Sequence, residues 1–459
     1  MSAPTRGSLL DLVQIVGRDN ALSAREDLVP FAADAKVEGA APALVLFPRE
    51  EQQVCDVLRY CSQRGLPVVP RGAATGTIGG AIPEFPGAVV LSLERMNRIV
   101  EINARDGYAE VEPGVVCDAL KAEARAHGLF YPPDPASADT STVGGNASTN
   151  AGGLRAVKYG VTRDYVLGLH AVLSSGELIR TGVRTRKGVM GYDLTRLLVG
   201  SEGTLAVITR LILRLAPAPE SVLTLSASFA GMEQAGEAVV ALMQGRVLPA
   251  ALELMDRASL EVVQAELAPG CEALLLIDCD GETQQVQREI EQIERLMQER
   301  GALQVEVARD QAQSERLWKA RRSISPAIYK IKSRKFAEDV TVPISRIPEL
   351  LRRVADAAAQ NRVLNVNYGH AGDGNIHVNV LFDPDDQDER ARAEQTVQQV
   401  FRITLELGGT LSGEHGVGLA KREALRLEID PTQIELQRRI KAAFDPAGIL
   451  NPGKGLPPR

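Results

Sequence analysis

Three of the five histidines in this sequence fall in two short glycine-rich segments of its second half. His370 and His377 lie in NVNYGHAGDGNIHVN, and His415 lies in SGEHGVG, where it follows Glu414. Neutral imidazoles and a carboxylate are typical ligands of Zn²⁺ or a related metal that keeps one position open for substrate. Alternatively, these histidines are hydrogen-bonded core residues of a sheet and SGEHGVG is a surface loop, because their spacing alone is not a specific motif.

The residues around the first two histidines predict a β-hairpin. Residues 363–368 and 375–381 alternate apolar with polar side chains, and a Gly-Asp-Gly sequence at 372–374 supplies the turn between them. Because successive strand residues point to opposite faces, His377 and Asn379 should lie side by side on one face of the second strand.

Composition excludes several classes of protein. The chain has 459 residues, of which 44% are hydrophobic and 24% charged, so it is long enough for two or three globular domains. Its 59 acidic and 52 basic residues give a net charge of −7, and it has no basic block, so we expect no nucleic-acid partner.

Cysteine usage and hydropathy indicate the compartment. The five cysteines are scattered and form no C-x-x-C pair, which argues against a disulfide framework, a zinc ribbon or a cysteine-ligated cluster. The N-terminal residues lack the apolar run of a secretory signal, and no later run reaches the length of a membrane span. We therefore expect a cytoplasmic protein with no integral membrane segment, peripheral to a membrane only through a partner.

Two loops in the first half are rich in small residues. Residues 71–83, RGAATGTIGGAIP, follow a predicted buried strand and would let backbone N–H groups approach a diphosphate, with Arg71 adding charge. They match neither the Rossmann nor the P-loop pattern, and a flexible connection between strands is the alternative. Residues 131–166 form a second, longer polar loop between predicted strands, which is typical of a functional loop.

Both halves of the chain resemble one enzyme family. The first half resembles the FAD-binding domain of the FAD-linked oxidases with the vanillyl-alcohol oxidase fold, through the segments PRGAATGTIGGA, PPDPASADTSTVGGNASTNAGG, KYGVTRDYVLGLHAVLSSGEL and YDLTRLLVGSEGTLAVIT. The second half resembles the C-terminal domain of the branch that contains D-lactate dehydrogenases, the flavoprotein subunit of glycolate oxidase and D-2-hydroxyglutarate dehydrogenases. The resemblance extends from about Ala40 to Lys454.

The resemblance implies an α+β fold. It consists of a two-subdomain FAD-binding domain of the vanillyl-alcohol oxidase type and an α+β cap domain with an antiparallel sheet. The expected parts are the FAD-binding domain at 1–216 with a diphosphate loop at 70–80 and a second FAD segment at 131–163, the cap at 217–410 with the metal hairpin at 363–381, and a C-terminal segment at 411–459 that completes the active site and returns to the FAD domain.

The resemblance also implies a non-covalent FAD, because the diphosphate loop has no histidine for covalent attachment. Ala73 and Ala74 stand where relatives tend to have glycine, and their methyl groups are compatible with the loop if both residues keep φ negative. The implied FAD contacts are Pro70, Arg71, Gly72, Ala73, Ala74, Thr75, Gly76, Gly79, Gly80, Pro133, Asp134, Ser137, Thr140, Gly144, Gly145, Asn146, Thr149, Asn150, Gly152, Glu202, Gly203, Ile208 and Asn451.

A basic segment before the hairpin carries the implied substrate residues. By resemblance, Arg321 and Lys335 hold the substrate carboxylate and Ser325 offers a hydroxyl, whereas a solvated helix face is the alternative. The implied metal ligands are His370, His377 and Glu414, with Zn²⁺ the family-based choice and Mn²⁺ or Fe²⁺ also suited to these donors. His415 is the expected base, with a fourth metal ligand as its rival role, and Asn379 orients the substrate.

The expected reaction is oxidation of a small D-2-hydroxy acid to the 2-oxo acid, with hydride passing to FAD. Reduced FAD then passes its electrons to an electron-transfer flavoprotein, an iron–sulfur subunit, a cytochrome or a quinone. One alternative is a flavin-binding subunit of a larger complex that is inactive on its own. Another, an ether-lipid synthase, is disfavoured because its histidine-rich active-site run is absent. For the oligomeric state, the sequence leaves both a homodimer and a multi-subunit complex as alternatives.

Overall fold

The structure, a computed structural model, describes residues 4–265 and 267–458 and divides the chain into two compact units. The first unit contains Met1–Gly152, Val161–Ala218 and Glu414–Arg459, and the second contains Gly153–Gly160 and Pro219–Gly413. The chain therefore changes unit within three residues of the expected boundaries. The eight residues Gly153–Gly160, which the sequence placed in the second FAD segment, instead belong to the second unit.

Helices and strands alternate along most of the chain. The helices are α1 (Arg6–Val16), α2 (Arg25–Leu28), α3 (Glu51–Arg64), α4 (Cys117–Ala126), α5 (Val143–Thr149), α6 (Ala156–Tyr159), α7 (Thr162–Tyr165), α8 (Leu194–Leu198), α9 (Met232–Met243), α10 (Arg257–Val262), α11 (Thr283–Glu299), α12 (Gln311–Ile328), α13 (Ile347–Gln360), α14 (Gln387–Glu406), α15 (Leu425–Glu428) and α16 (Pro431–Phe444). The strands are β1 (Ala21–Leu22), β2 (Leu44–Leu46), β3 (Val68–Arg71), β4 (Val89–Ser92), β5 (Ile99–Asn103), β6 (Tyr108–Val111), β7 (Leu129–Phe130), β8 (Val166–Val172), β9 (Leu178–Gly182), β10 (Val207–Arg214), β11 (Ala216–Pro217), β12 (Ser221–Phe229), β13 (Ala251–Asp256), β14 (Ala273–Gly281), β15 (Gln304–Val307), β16 (Arg334–Thr341), β17 (Leu364–His370) and β18 (Asn375–Phe382).

The first unit contains two main sheets. Strands β2, β4 and β3 are parallel, and β1 adds to β2 in the opposite direction. A second sheet, in the order β5-β6-β10-β8-β9, is antiparallel. Helix α3 buries Val54 and Leu58 in the core of the parallel sheet and ends at Gly65, whose φ of 63° is easiest for glycine.

The second unit is built on a seven-stranded sheet in the order β15-β12-β14-β13-β17-β18-β16, with every neighbouring pair antiparallel. The expected α+β fold with an antiparallel sheet is therefore confirmed. Leu225, Ala227 and Ile277 are fully buried on the sheet face turned away from α12. The face turned toward α12 carries polar side chains, which is unusual for a buried surface because each one needs a hydrogen-bond partner.

Helix α12 supplies those partners from a single stripe of its surface. Four of its polar contact residues are spaced by four, three and four positions, so they lie one above another on the helix face that meets the sheet. The contacts are Ser314 with Thr224 (2.7 Å between hydroxyl oxygens), Trp318 Nε1 with Asp278 (3.0 Å), Arg321 Nε with Glu253 (2.7 Å) and Ser325 Oγ with Lys335 Nζ (3.2 Å).

The expected hairpin is confirmed in β17 and β18. The two strands pair over their whole length, and the Gly374 amide donates to the His370 carbonyl across the turn (3.1 Å). Gly374 has a φ of 85°, and a Cβ there would lie 2.0 Å from the Val342 carbonyl oxygen. Only glycine fits this turn, and the turn sets the register that places His370.

The segment Gly153–Gly160 is fixed within the second unit by one buried carboxylate. Asp280 accepts hydrogen bonds from Arg155 (3.1 Å), Lys158 (2.6 Å) and the Tyr159 hydroxyl (2.9 Å), and its side chain has no exposed area. Within the described ranges, no helix combines the length and apolar character needed to cross a membrane.

Replacing this carboxylate should destabilise the second unit. Asp280→Asn leaves two cations without their buried counter-charge, so the free energy of unfolding should fall by about 3 kcal/mol. Trp318 is the only tryptophan of the chain and is buried in this unit, so its fluorescence during urea denaturation measures the loss.

The matched control is Asp356→Asn, which removes an exposed pair with Arg352 in the same unit. It should change the free energy of unfolding by less than about 1 kcal/mol. Equal midpoints of urea denaturation for the two variants would contradict the anchoring role of Asp280.

Candidate active site

The loop that follows β3 is held by Arg71. The Arg71 guanidinium donates to the carbonyl oxygens of Pro30 (3.2 Å), Ala33 (3.0 Å) and Ala81 (3.1 Å), and burial lowers its pKa. The side chain therefore braces the loop, a role that the sequence did not indicate. Ala74 has a φ of 54°, so the condition of a negative φ is not met there, and its backbone is held in a left-handed conformation.

One close approach joins this loop to the start of α5. Thr142 caps α5 by accepting from the Gly145 amide (3.3 Å), and a Cβ on Gly72 would lie 2.4 Å from the same hydroxyl oxygen. A Cβ on Gly144 would lie 2.4 Å from the Pro113 side chain. The predicted diphosphate loop and the predicted second FAD segment are thus in direct contact.

Asn451 connects three of the predicted FAD segments. Its side-chain amide donates to the carbonyl oxygens of Gly80 (2.8 Å) and Glu202 (2.7 Å). The Glu202 carboxylate in turn accepts from the amides of Val417 (2.7 Å) and Gly418 (2.8 Å), and burial raises its pKa despite these bonds. The end of the SGEHGVG segment is therefore attached to a predicted FAD residue.

The first unit fits a bound FAD because it contains buried polar atoms that lack partners. Within the described ranges, the side-chain atoms Tyr131 OH, Ser141 Oγ, Asn146 Nδ2 and Asn451 Oδ1 are buried and make no hydrogen bond. Buried polar atoms are normally paired, so an unpaired group in these segments is best explained by a ligand. Asn146 and Asn451 would contact such an FAD with these atoms.

The other predicted FAD residues differ in their surroundings. Thr140 is exposed and donates to its neighbours Ser137 and Asp139, and Asp134 pairs with Lys121. Others of the predicted residues are Pro133, which is buried just after β7, Thr149 and Asn150, which end α5, Gly152, which lies against Glu414, and Gly203 and Ile208, which precede and enter β10.

In the second unit, Glu253 joins two residues that the sequence predicted separately. One carboxylate oxygen accepts a hydrogen bond from Arg321 Nε (2.7 Å) and lies 2.5 Å from Nη2, and the other contacts His370 Nδ1 (2.5 Å). Burial raises the pKa of Glu253, but the positive charge of Arg321 and the hydrogen bonds from Arg321 and His370 outweigh burial and lower it to about 2. The sequence prediction missed Glu253, although a charged residue inside the apolar strand ALELMD could have indicated it.

The two hairpin histidines lie together, as the sequence predicted. The His370 and His377 ring centroids are 5.1 Å apart with the rings nearly perpendicular, and Tyr368 lies 5.5 Å from His377. His377 Nδ1 is 3.9 Å from the Asp339 carboxylate, which also accepts from Asn375 Nδ2 (2.6 Å). Asp339 is fully buried and was missed because nothing local distinguishes it in the sequence.

Lys335 and Asn379 lie on the sheet face that carries His377, and Ser325 of α12 contacts Lys335. Lys335 donates to Ser325 and lies 5.1 Å from the Tyr329 ring centroid, so the structure brings together two residues of the predicted carboxylate site. Asn379 is buried, and its amide nitrogen donates to the carbonyl oxygens of Val366 (3.0 Å) and His377 (3.3 Å).

Glu414 and His415 open the C-terminal part of the first unit and directly follow Gly413 of the second unit. Gly413 is held in the second unit, where its amide donates to the Asp339 carbonyl (3.3 Å).

Two glycine substitutions separate cofactor binding from folding in the first unit. No atom lies within 4 Å of the position that a Cβ on Gly76 would occupy, so Gly76→Ala should leave the apoprotein folded and lower FAD affinity about tenfold by crowding the cofactor. Gly144→Ala should instead destabilise the apoprotein, because its Cβ meets Pro113. Flavin absorbance after gel filtration and the apoprotein melting temperature measure the two effects, and unchanged FAD affinity in Gly76→Ala would contradict this loop as a cofactor contact.

Comparisons with known proteins agree with the two units. Residues 42–182 match the FAD binding domain model, and residues 218–455 match the model of FAD linked oxidases, C-terminal domain. The glycolate oxidase subunit GlcD of Bacillus subtilis (strain 168) is 40% identical over 448 residues, covering 96% of this chain and 95% of that protein. A D-lactate dehydrogenase of Archaeoglobus fulgidus is 39% identical over 416 residues, covering 90% of each.

Solved structures show the same fold at low sequence identity. A p-cresol methylhydroxylase with bound substrate has a TM-score of 0.82 and 19% identity, covering 98% of both chains. An alkyldihydroxyacetonephosphate synthase has a TM-score of 0.79 and 16% identity, covering 98% of this chain and 85% of that one. With both family models matched in order along its length, the chain belongs to the FAD-linked oxidases and is an FAD-linked oxidoreductase.

Proposed function

We propose that this enzyme oxidises a small D-2-hydroxy acid, of the D-lactate, glycolate or D-2-hydroxyglutarate type, to the 2-oxo acid. The observation that carries the proposal is the buried Arg321, paired with Glu253 on the sheet face that also presents His370 and His377. An arginine held in this way is suited to bind a carboxylate. The relatives named glycolate oxidase subunit and D-lactate dehydrogenase support the same substrate class.

In this proposal the carboxylate of the substrate binds to Arg321 and Lys335, with Ser325 completing the contact through its hydroxyl. Lys335 donates a hydrogen bond to Ser325, so the Lys335 ammonium group is held at the sheet rather than in solvent. The Asn379 side-chain oxygen accepts from the substrate and orients it, because its amide nitrogen is committed to backbone carbonyls.

The donor chemistry fits a divalent metal held by His370, His377 and Glu414. Asp339 is a further candidate ligand, because its carboxylate lies 3.9 Å from His377 Nδ1. Imidazole and carboxylate donors suit Zn²⁺, Mn²⁺ and Fe²⁺. Such a metal, when bound, supplies Lewis acidity that lowers the pKa of the substrate hydroxyl.

We assign the proton transfer to His415, which takes the hydroxyl proton as general base. Its rival role is that of a metal ligand. FAD, when bound by the first unit, supplies the two-electron acceptor for the C2 hydrogen. Electrons then leave to a separate acceptor, an electron-transfer flavoprotein, an iron–sulfur subunit, a cytochrome or a quinone, because the sequence has no cluster-binding cysteine motif.

The alternative is a flavin-binding subunit that needs a partner for activity. It is favoured by the GlcD relatives, which are named as subunits of glycolate oxidase. It is opposed by the complete set of Arg321, His370, His377 and Glu414, which a non-catalytic subunit does not require.

The test is the anaerobic visible spectrum of the purified chain with D-lactate, L-lactate, glycolate and D-2-hydroxyglutarate in separate samples, before and after chelation. We expect the flavin to be bleached by a D-acid or by glycolate, and the bleaching to be lost with chelator and restored by a divalent metal. A flavin that stays oxidised in every metal-replete sample would contradict oxidation of these acids by the isolated chain.

His377→Ala should abolish turnover and leave FAD bound. Loss of a Lewis acid worth several kcal/mol predicts a fall in kcat of about a thousandfold or more. Steady-state kinetics and flavin absorbance measure the two quantities separately.

His127→Ala is the matched control, because His127 is exposed beside Glu123 at the end of α4 and should not affect either measurement. Loss of flavin together with activity in His377→Ala would indicate a structural histidine instead.

A further inference from the structure

Glu253 is a buried charged residue in a strand whose neighbours are apolar. It lies in β13 directly opposite His370 of β17, and its side chain has no exposed area. Resting on the function proposed above, we infer that Glu253 is a positioning residue that fixes the substrate-binding Arg321 and the metal-binding His370 through a single carboxylate.

The carboxylate divides its two oxygens between the two partners. One oxygen accepts from Nε of Arg321 and forms the ion pair with its Nη2, and the other oxygen contacts Nδ1 of His370. The remaining N–H groups of Arg321 make no hydrogen bond to any residue in the described ranges, so they are available to a carboxylate ligand. Glu253 thereby determines which edge of the guanidinium faces the substrate.

The same carboxylate determines which nitrogen of His370 can bind a metal. With an ionised carboxylate as acceptor, Nδ1 carries the hydrogen and Nε2 keeps its lone pair. Metal-binding histidines commonly donate their other nitrogen to a carboxylate in this way, which fixes both ring orientation and tautomer. His370 therefore presents Nε2 as its ligand atom.

The Tyr368 ring packs beside Arg321 and His377. Its ring lies 4.4 Å from the Arg321 guanidinium carbon and 5.5 Å from the His377 ring centroid. Arg321 is thus fixed on two sides, by charge at Glu253 and by the aromatic ring at Tyr368. A shift of Glu253 would be transmitted to the arginine and the histidine together.

A purely structural role for Glu253 is the competing explanation, and Asp278 provides the matched comparison. Asp278 is also a buried carboxylate on the α12-facing side of the sheet, and it accepts from Trp318 Nε1 of the same helix (3.0 Å) and from Thr224 (2.7 Å). Neither of these partners is a proposed substrate or metal residue. Asp278→Asn therefore perturbs the helix-to-sheet contact without reaching Arg321 or His370.

The central experiment compares Glu253→Gln with Asp278→Asn in the FAD-loaded protein. Glutamine has one acceptor oxygen and one donor nitrogen, so it cannot accept from both Arg321 and His370. We expect Glu253→Gln to weaken retention of Zn²⁺ or Mn²⁺ against a chelator by about 10- to 100-fold and to raise the KM for the 2-hydroxy acid by about tenfold. FAD content should stay unchanged, and Asp278→Asn should change neither quantity.

Arg321→Lys separates the two effects of Glu253. This variant should raise KM and leave metal retention unchanged, whereas Glu253→Gln changes both. Glu253→Asp keeps the charge and should restore part of the metal affinity and the KM; it also replaces Glu253→Gln as the test variant if the latter does not fold.

The His370 tautomer in the metal-free protein tests the positioning role independently of turnover. With ¹⁵N-labelled histidine and His370→Asn for assignment, NMR should show the hydrogen of His370 on Nδ1 in the wild type and in Asp278→Asn. In Glu253→Gln the tautomer populations should shift.

The inference is overturned if Glu253→Gln leaves the His370 tautomer and the metal retention as they are in the wild type. It is also overturned if Asp278→Asn produces the same losses, because Glu253 would then be one structural carboxylate among others. A wild-type protein with the Nδ1–H tautomer that oxidises no 2-hydroxy acid would support the positioning role and overturn the proposed function alone.

Discussion

The buried carboxylate of Glu253 is the constraint on which the second unit depends. A charge removed from water is costly unless it is paired and hydrogen-bonded, and here the partners are Arg321 from α12 and His370 from β17. Both partners are proposed site residues, so the hydrogen bonds that satisfy the carboxylate also position these two side chains. A buried ion cluster needed only for stability would be replaceable as a whole by apolar side chains of similar volume, whereas removal of the carboxylate alone leaves a buried cation unpaired.

Helix α12 makes further polar contacts of this kind along the sheet. One stripe of the helix satisfies polar side chains of β12, β14, β13 and β16, and the last of these contacts holds Lys335. Polar contacts are directional, whereas apolar packing tolerates small shifts, so this stripe specifies both the rotation and the axial position of the helix. The apolar residues on the opposite face of the sheet supply burial without that specificity.

The first unit depends instead on close contacts between backbone segments. Gly72 and Gly144 lie where a side chain would collide with Thr142 or Pro113, and Asn451 ties the carbonyls of two loops together. These contacts bring loops from distant parts of the sequence into one cradle with unpaired buried polar atoms. Such a cradle suits a large polar cofactor, because the polar atoms gain partners only when it is bound.

The sequence alone determined the local elements and the family. Alternating polarity and a turn that only glycine fits were enough for the hairpin, and the glycine-rich motifs were enough for the FAD-linked oxidase fold. Tertiary structure decided what those residues contact. Glu253 is 68 residues from Arg321 and 117 from His370, so their meeting depends on strand order and register, which no local pattern encodes. The positive φ of Ala74 and the bracing role of Arg71 likewise follow from contacts with distant backbone, which only the folded chain supplies.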